Sequence, residues 1–375
     1  MSKTKNYVER NGKVYARISY TDSAGKRRQI WRRAETKTDA KDITRRLEAD
    51  LSEFGVESFE HDLTLGLYLD RWLKSLKQKV SERTYGGYES LLKLHVRPVL
   101  GTKRLSKLRP LDFQSVIDAM AEKKLSPRTI RYAHTVTSSA MKQAVRWKVM
   151  TGNPAQFVEL PKSVSHEMQY LSVEQAKKFL RESLKDEYGL IFEIALVTGM
   201  RPEEYLALQW EDINFPQKCV SVKRTLVRKT KGGGWYFGEP KTKQSRRLIP
   251  LPDYLVAKLK EHRRIQLEYR LKQGEKYKSH DLVFATLSGT PISMRNLDRR
   301  HFKCILAAAK LPNIRLYDLR HTCATLLLVA GEHPKVVSER LGHANIVLTL
   351  QTYTHVLPTM QKSATEKLSA LLAER

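Results

Sequence analysis

Apolar and polar residues alternate near the start of the chain and then change to a helical spacing. One face of a first predicted strand carries Val14, Ala16, Ile18 and Tyr20. A turn over residues 22–25 leads to a second strand over 26–33, and a helix follows it. The apolar face of that helix carries Ala40, Ile43, Leu47 and Leu51. The pattern predicts a small sheet-plus-helix domain over residues 1–55.

Helical spacing continues from Thr64 to Pro161 and fits four helices. Ser81 is placed to cap the second helix, the third covers 111–122, and Ser126 with Pro127 starts the fourth. Residues 155–169 lack periodicity, which is typical of a linker between domains. We therefore predict an all-α helical domain over residues 62–160.

A third domain is predicted over residues 170–375, mainly α with a small antiparallel sheet. Ser172 begins a capping box, and an apolar helix over 190–197 ends at Gly199. Strand-like runs follow at 219–226, 235–237 and 246–251, and two more helices are predicted at 318–330 and 334–341. The predicted fold is thus an α+β multidomain protein.

The C-terminal tail has one apolar stripe at helical spacing. Its members are Leu357, Met360, Ala364, Leu368, Leu371 and Leu372. A helix with this stripe packs either on its own chain or on a neighbouring subunit.

The net charge of the chain indicates which kind of molecule it binds. The 375 residues carry a formal charge of +28, so a polyanion is the expected partner. A run of about 18 apolar residues, which a membrane span needs, is not found, and the basic start does not resemble a signal peptide. Nucleic acid in the cytoplasm is favoured over a membrane. The three cysteines lack metal-site spacing and are predicted to be buried and reduced.

Basic residues cluster in the N-terminal domain and are predicted to bind DNA through the sheet. They are Arg17, Lys26, Arg27, Arg28, Arg32 and Arg33. The alternative is a basic face that serves only solubility.

Residues with reactive or phosphate-binding side chains are spread over the third domain. Arg201 lies at a corner between two helices, with Glu204 three residues later to orient it. Lys241 is predicted at the edge of a hairpin, and Arg320 near the start of a helix beside His321, which we interpret as structural. The remaining two candidates are His343, in a turn, and Tyr353, on a helix with Ile346, Leu348 and Leu350 around it. Each residue alone is compatible with an ordinary structural role.

Five motifs in this order resemble the tyrosine recombinase (phage integrase) family. They are Thr-Gly-x-Arg-x-x-Glu, Pro-Lys-Thr-x-x-Ser-x-Arg, Asp-Leu-Arg-His-Thr, Leu-Gly-His and Thr-Tyr-x-His. The resemblance covers about 170–355, the helical domain resembles the core-site-binding domain, and the first fifty residues resemble the arm-site-binding domain of integrases from temperate phages and integrative conjugative elements.

The resemblance implies a role for each of the matching residues. Arg201 and Arg320 would clamp the phosphate, Lys241 would protonate the leaving 5′ oxygen, and His343 would hydrogen-bond the phosphate or share in proton transfer. Tyr353 would be the nucleophile that forms a 3′ phosphotyrosine. At Tyr317 the family often has histidine, and a phenol is a poor base near neutral pH.

The resemblance also implies partners: double-stranded DNA at core and arm sites, a homotetramer on DNA, an excisionase and a DNA-bending host protein. Cofactors and metals are not expected. The alternatives are a DNA-binding regulator on a recombinase scaffold and an enzyme similar to type IB topoisomerases.

Overall fold

The computed structural model describes residues 7–21, 25–54, 63–162, 168–229, 233–240 and 243–353, with residues 365, 366, 368, 369, 372 and 373 of the tail. The chain divides into two compact units, Met1–Ser165 and His166–Arg375. The predicted α+β class is confirmed, because a small sheet, a helical region and a mainly helical unit with small antiparallel sheets follow in that order. The boundaries of the three predicted domains stay predictions.

The N-terminal sheet has three antiparallel strands and not the two that were predicted. Its elements are β1 (Tyr7–Arg10), β2 (Lys13–Thr21), β3 (Arg27–Ala34) and the helix α1 (Lys37–Phe54). The additional strand is β1, which joins β2 through Asn11 and Gly12 at φ 49° and 68°. These angles belong to the tight hairpin turn that Asn-Gly favours. The predicted helix packs on one face of the sheet, against Ala16 and Ile18.

The helical region confirms the four predicted helices and their caps. Its helices are α2 (Leu65–Leu76), α3 (Glu82–Leu91), α4 (Arg97–Leu100), α5 (Pro110–Glu122) and α6 (Pro127–Arg146). Ser81 Oγ accepts a hydrogen bond from the backbone of Thr84, and Ser126 Oγ accepts one from Thr129, both at 3.3 Å. A π-helical turn, Leu92–Val96, joins α3 to α4, so the predicted second helix runs on to Leu100.

The C-terminal unit contains nine helices and five strands among the residues described. They are α7 (Val173–Ser183), α8 (Gly189–Thr198), α9 (Pro202–Tyr205), β4 (Ile213–Asn214), β5 (Cys219–Val222), β6 (Thr225–Arg228), β7 (Trp235–Gly238), β8 (Arg247–Pro250), α10 (Asp253–Gln273), α11 (Met294–Asn296), α12 (Lys303–Ala308), α13 (Asp318–Val329), α14 (Pro334–Leu341) and α15 (Ile346–Thr352). β4, β5 and β8 form one antiparallel sheet, and β6 pairs with β7.

The predicted strand over residues 219–226 is in fact two strands in different sheets. β5 ends at Val222 and β6 begins at Thr225. The break lies at Lys223 and Arg224, which both form ion pairs with the buried Asp212. Both side chains therefore meet one carboxylate at the point where the chain leaves the first sheet and enters the second.

The sequence pattern of helix α13 predicts one buried stripe of Leu319, Cys323, Leu326, Leu327 and Ala330, and the structure buries a different set. Ala324 and Leu328 are buried and Ala330 is exposed, because α13 packs against α8 and α14 together. Cys323 is also buried, but Cys219 is half-buried and Cys304 is exposed, so the prediction of buried cysteines was wrong for two of the three. In the part of the chain that the structure describes, no helix has the length and apolar character that a bilayer crossing requires.

Candidate active site

The corner between α8 and α9 positions Arg201. Gly199 ends α8 in the left-handed conformation at φ 67°, and a Cβ at this position would lie 2.8 Å from Leu341 Cδ2. Pro202 opens α9, so Arg201 becomes the residue before its first turn. The chain thus passes from α8 to α9 within three residues, and this short connection positions the Arg201 backbone.

Glu204 binds two arginines from different elements. Its Oε1 accepts a hydrogen bond from Arg201 Nη1 at 2.6 Å, and its Oε2 accepts one from the Arg201 backbone at 2.9 Å. Arg247, at the start of β8, donates from Nη2 to Oε2 at 2.9 Å. The Glu204 side chain is 1% exposed and that of Arg247 is 6% exposed. Arg247 Nε also donates to the Arg340 carbonyl, so Glu204 and Arg247 together connect α9, β8 and α14.

Arg320 lies in the first turn of α13 and reaches the same corner. Its side chain is almost completely buried, and Nη1 donates to the Gly199 carbonyl at 2.8 Å. Its Nη2 has no hydrogen-bond partner among the described residues. A buried guanidinium normally satisfies its donors, so this unused donor suits an anionic ligand.

His343 lies directly after Gly342, which ends α14 in the left-handed conformation. Its backbone donates to the Ser338 carbonyl at 3.0 Å, and its Nδ1 contacts the buried Thr349 Oγ1 at 2.8 Å. Thr349 also accepts a hydrogen bond from the Tyr353 backbone through its carbonyl at 3.0 Å. One residue of α15 therefore positions both His343 and Tyr353.

Tyr353 ends α15 and is buried against α13 and α14. Its ring packs with Ala324, Leu328, Val337 and Leu341. The predicted packing by Leu348 and Leu350 was wrong, because these two side chains are 48% and 38% exposed. The Tyr353 ring therefore packs on α13 and α14 and not on the side chains of α15.

The phenol of Tyr353 meets a histidine that the sequence pattern did not single out. Tyr353 Oη lies 3.0 Å from His321 Nδ1, directly after Arg320 in α13. The ring of Tyr317, one helical turn before His321, lies 5.4 Å from the imidazole between centroids. His321 is thus placed between two phenols.

Burial and charge set the protonation of these groups. Burial and the nearby guanidiniums of Arg320 and Arg201 lower the pKa of His343 to about 4, so its imidazole is neutral at pH 7. Burial raises the pKa of Tyr353, and Arg320 opposes that shift. Burial and Arg201 lower the pKa of Arg320 to about 10. Burial also lowers the pKa of Arg201, but Glu204, which accepts a hydrogen bond from its guanidinium, and the nearby Tyr317 phenol outweigh this effect and raise it.

The structure therefore brings together Arg201, Glu204, Tyr317 and Arg320, with His343 and Tyr353 joined through Thr349. Two guanidiniums, a neutral imidazole and a buried phenol can bind a phosphate and present an oxygen nucleophile to it. Lys241 lies outside the described residues. Arg247 and Thr349 were missed, and His321 was interpreted only as structural, although Arg247 and His321 both lie inside the quoted motifs.

The six predicted DNA-binding residues do not share one face of the N-terminal sheet. Arg17 pairs with Trp31 and Arg33 with Tyr15, on the face opposite α1, and Arg27 shares that face. Arg32 pairs with Ala16 and Arg28 with Tyr20, on the face that α1 covers. Lys26 precedes β3 and is exposed. The open face also presents Trp31, 37% exposed, with the Arg17 guanidinium 5.8 Å from its ring.

Two family models match the chain. The model of the "Phage integrase family" matches residues 168–360, and that of the "Phage integrase, N-terminal SAM-like domain" matches residues 64–121. The first match covers the whole arrangement from Arg201 to Tyr353.

Curated and solved relatives agree with these matches. A "Tyrosine recombinase XerC-like" protein of Caldanaerobacter subterraneus subsp. tengcongensis is 32% identical over 99% of this chain and 100% of its own length. A structure of the Tn1549 transposon integrase with a circular intermediate DNA has a TM-score of 0.69 at 23% identity, covering 82% of this chain and 99% of that one. A lambda integrase tetramer bound to a Holliday junction has a TM-score of 0.57 at 19% identity, covering 92% and 94%. The two structural likenesses show a shared fold.

Proposed function

Since this chain belongs to the phage integrase family of tyrosine recombinases, we propose that it integrates and excises a mobile DNA element through a covalent bond between Tyr353 and DNA. It is a site-specific recombinase, and we place its action on double-stranded DNA in the cytoplasm of a bacterial host. The observation that carries the proposal is the convergence of Arg201, Arg320, His343 and Tyr353, which three separate segments of the chain bring to one site.

In the proposed cleavage step, Tyr353 Oη attacks a DNA phosphorus atom and the bond to the 5′ oxygen breaks. Arg201 and Arg320 bind the non-bridging oxygens, where negative charge builds in the transition state. His343, neutral at pH 7, hydrogen-bonds the phosphate, and Lys241 protonates the departing 5′ oxygen. The 3′ phosphotyrosine keeps the energy of the broken bond, so a 5′ hydroxyl from a second duplex can reverse the step.

Strand exchange between two duplexes requires four such sites, and we propose a homotetramer on DNA. The tetrameric lambda integrase on a Holliday junction, with which this chain shares its fold, supports that assembly. An excisionase and a DNA-bending host protein belong to the same proposal.

In the predicted tail helix, Leu368 and Leu372 are exposed, and the other four members of its stripe lie outside the described residues.

The proposal is tested by covalent capture. A duplex with the element's attachment core and a nick one nucleotide from the cleavage position loses a short fragment, so religation fails and the protein–DNA adduct accumulates. Purified protein should give this adduct on denaturing gels with cognate DNA and not with a shuffled sequence. Absence of the adduct on every cognate core would support a DNA-binding regulator, and relaxation of supercoils without site preference would support a topoisomerase.

We propose that the open face of the N-terminal sheet binds arm-type DNA sites. The double variant Arg17→Ala/Arg33→Ala should weaken binding to arm DNA and reduce the slope of log affinity against log salt by about one for each phosphate that is no longer neutralised. The matched pair Arg28→Ala/Arg32→Ala removes equal charge from the covered face and should change the slope less. Salt titrations of fluorescence anisotropy measure both.

Deletion of residues 1–55 serves as the control for this assignment. It should abolish arm binding and leave cleavage of core DNA intact. Equal slopes for the two double variants, or equal loss of arm and core binding on deletion, would contradict the separate arm-binding face.

We propose that Tyr317 takes part of the role that histidine has in many relatives. Its phenol lies near the Arg201 guanidinium, and we propose that it donates a hydrogen bond to the phosphate, so Tyr317→Phe should slow single-turnover cleavage roughly tenfold, the scale of one charge-assisted hydrogen bond. Tyr317→His restores a polar group and should cleave at nearly the wild-type rate. An unchanged rate in Tyr317→Phe would show that the hydroxyl has no function.

A further inference from the structure

The hydroxyl that must lose its proton in the reaction contacts an imidazole. Tyr353 Oη and His321 Nδ1 are 3.0 Å apart, within the range in which a general base accepts a proton directly. The two rings lie 5.9 Å apart between centroids at 59°, so the contact runs from the tip of the phenol to the edge of the imidazole. Residue 321 and residue 353 are 32 positions apart, and only the packing of α15 against α13 brings them together.

Among the residues that the structure describes, the other candidates for the proton acceptor are chemically weaker. Tyr317 carries a phenol, which accepts a proton poorly near neutral pH. His343 has its Nδ1 bound to Thr349 Oγ1 at 2.8 Å, and the cations beside it disfavour its protonation. Arg320 is a cation and cannot accept a proton. The histidine one residue after it is therefore the basic side chain that the structure brings directly to the nucleophile.

The position of His321 is fixed from three sides. It follows Arg320, whose guanidinium is anchored on the Gly199 carbonyl at 2.8 Å. Tyr317 lies four residues earlier on the same side of α13 and contacts its ring edge-on. On the third side, Tyr353 Oη contacts the Nδ1 atom of the imidazole. The imidazole thus lies between the two phenol rings with its Nδ1 at the Tyr353 hydroxyl, a placement that suits a catalytic base.

We propose that His321 is the general base of this recombinase, a role that rests on the proposed function and deepens it. As Tyr353 Oη forms its bond to phosphorus, the phenolic proton moves to His321 Nδ1, which gives an imidazolium with protons on both nitrogens. The bond from phosphorus to the 5′ oxygen breaks, and that oxygen takes a proton from Lys241. In religation the 5′ hydroxyl attacks phosphorus and gives its proton back to Lys241, the bond from phosphorus to Tyr353 Oη breaks, and His321 returns its proton to that oxygen. No proton or electron pair is left over in either direction.

The test uses full-length protein and the nicked core duplex in single-turnover cleavage. His321→Asn places an amide near the Nδ1 position and can keep the hydrogen bond but cannot carry the proton. It should cleave about 10²- to 10⁴-fold more slowly, the usual contribution of a general base. His301→Asn is the matched control, because His301 is a partly buried histidine of the same unit that contacts Asp186 and Tyr188. It should cleave at the wild-type rate.

A second measurement separates proton transfer from positioning. Incorporation of 3,5-difluorotyrosine at position 353 lowers the pKa of the nucleophile and reduces its need for a base. In the His321→Asn background it should recover the rate by about tenfold or more, and in the wild-type background it should give little gain. His321→Ala with imidazole in the buffer should show the same recovery.

Two outcomes would overturn the role of His321. One is wild-type cleavage by His321→Asn. The other is slow cleavage that neither difluorotyrosine nor imidazole improves, because His321 would then only position the phenol. Both differ from failure of the proposed function, in which wild-type protein forms no adduct on cognate DNA, or an adduct persists without the Tyr353 hydroxyl.

Discussion

Tyr353→Phe is expected to eliminate the covalent protein–DNA adduct while leaving DNA affinity nearly unchanged. The substitution removes one oxygen atom, and that atom is the proposed nucleophile. The ring remains and still fills the space among Ala324, Leu328 and Leu341. The hydrogen bond to His321 that the fold loses is worth about 1 kcal/mol, so the variant should stay folded.

The measurement combines denaturing gels of the nicked core duplex with anisotropy binding to intact core DNA. Wild-type protein should accumulate adduct and Tyr353→Phe should give none above background. Tyr317→Phe is the matched control, because it removes a neighbouring phenolic oxygen and should slow the adduct without eliminating it. If Tyr353→Phe still forms the adduct, another residue is the nucleophile and the assignment is wrong. If it forms none but also binds no DNA, the buried ring and not its hydroxyl is the essential feature.

Local sequence signals predicted the helical parts of the fold well because the evidence lies within a few residues. Ser81 and Ser126 each accept a hydrogen bond from the residue three positions later, a contact that depends on the cap and its own helix. Gly199 and Gly342 end helices where only a left-handed conformation fits. The missed strand β1 also had a local signal, since Asn11-Gly12 is a strong hairpin turn.

The parts that sequence did not predict depend on contacts between distant residues. The strand breaks at Arg224, which forms an ion pair with Asp212 twelve positions earlier, and strand propensity does not report that ion pair. Tyr353 was expected to pack on its own helix, but α13 and α14 provide the surface that buries it. A periodic pattern shows that a face is buried and not which element covers it.

The same limit applies to the candidate site. Its motifs predict Arg201, Arg320, His343 and Tyr353, because their residue types and order are specific. They also predict Glu204 beside Arg201, but not the partners from distant segments: His321 meets Tyr353 across 32 residues. A histidine beside a buried arginine can have many ordinary roles. Only the folded structure shows that His321 contacts the Tyr353 hydroxyl.

Glu204 supports the site as the buried partner of two arginines. Its carboxylate is 1% exposed and lies between the guanidiniums of Arg201 and Arg247. Removal of one member of a buried ion pair leaves the others without compensation, which usually costs about 3–5 kcal/mol. Here it would leave two cations close to a third, Arg320, whose pKa burial and the Arg201 charge already lower. Glu204→Gln is therefore expected to lower the free energy of unfolding by about 3 kcal/mol and to slow cleavage strongly.

Glu193→Gln is the matched control for this change. Glu193 is also a buried carboxylate of the same unit, and Lys258 Nζ lies 2.8 Å from it. The Lys258 side chain is 40% exposed and can be hydrated when its partner is removed, so the variant should lose less stability and keep wild-type cleavage. Urea unfolding monitored by circular dichroism measures the first effect, and adduct formation measures the second. Equal loss of stability in the two variants would show that pairing with two arginines does not make Glu204 contribute more to the free energy of unfolding than Glu193 does.

The pH dependence of protein stability independently tests whether Glu204 acts through its negative charge. Burial pushes the pKa of Glu204 upward, but Arg247 and Arg201 outweigh it, so the pKa in the folded protein lies below the ordinary value of 4.5. A carboxylate with a depressed pKa stabilises the fold fully above its unfolded pKa, and this stabilisation is lost as pH falls through the folded pKa. The difference in unfolding free energy between wild-type protein and Glu204→Gln should thus be constant from pH 7 down to about 5 and shrink in stronger acid. A difference that stays constant below about pH 4 would mean that Glu204 acts through its shape and hydrogen bonds, which glutamine cannot fully reproduce, and not through its charge.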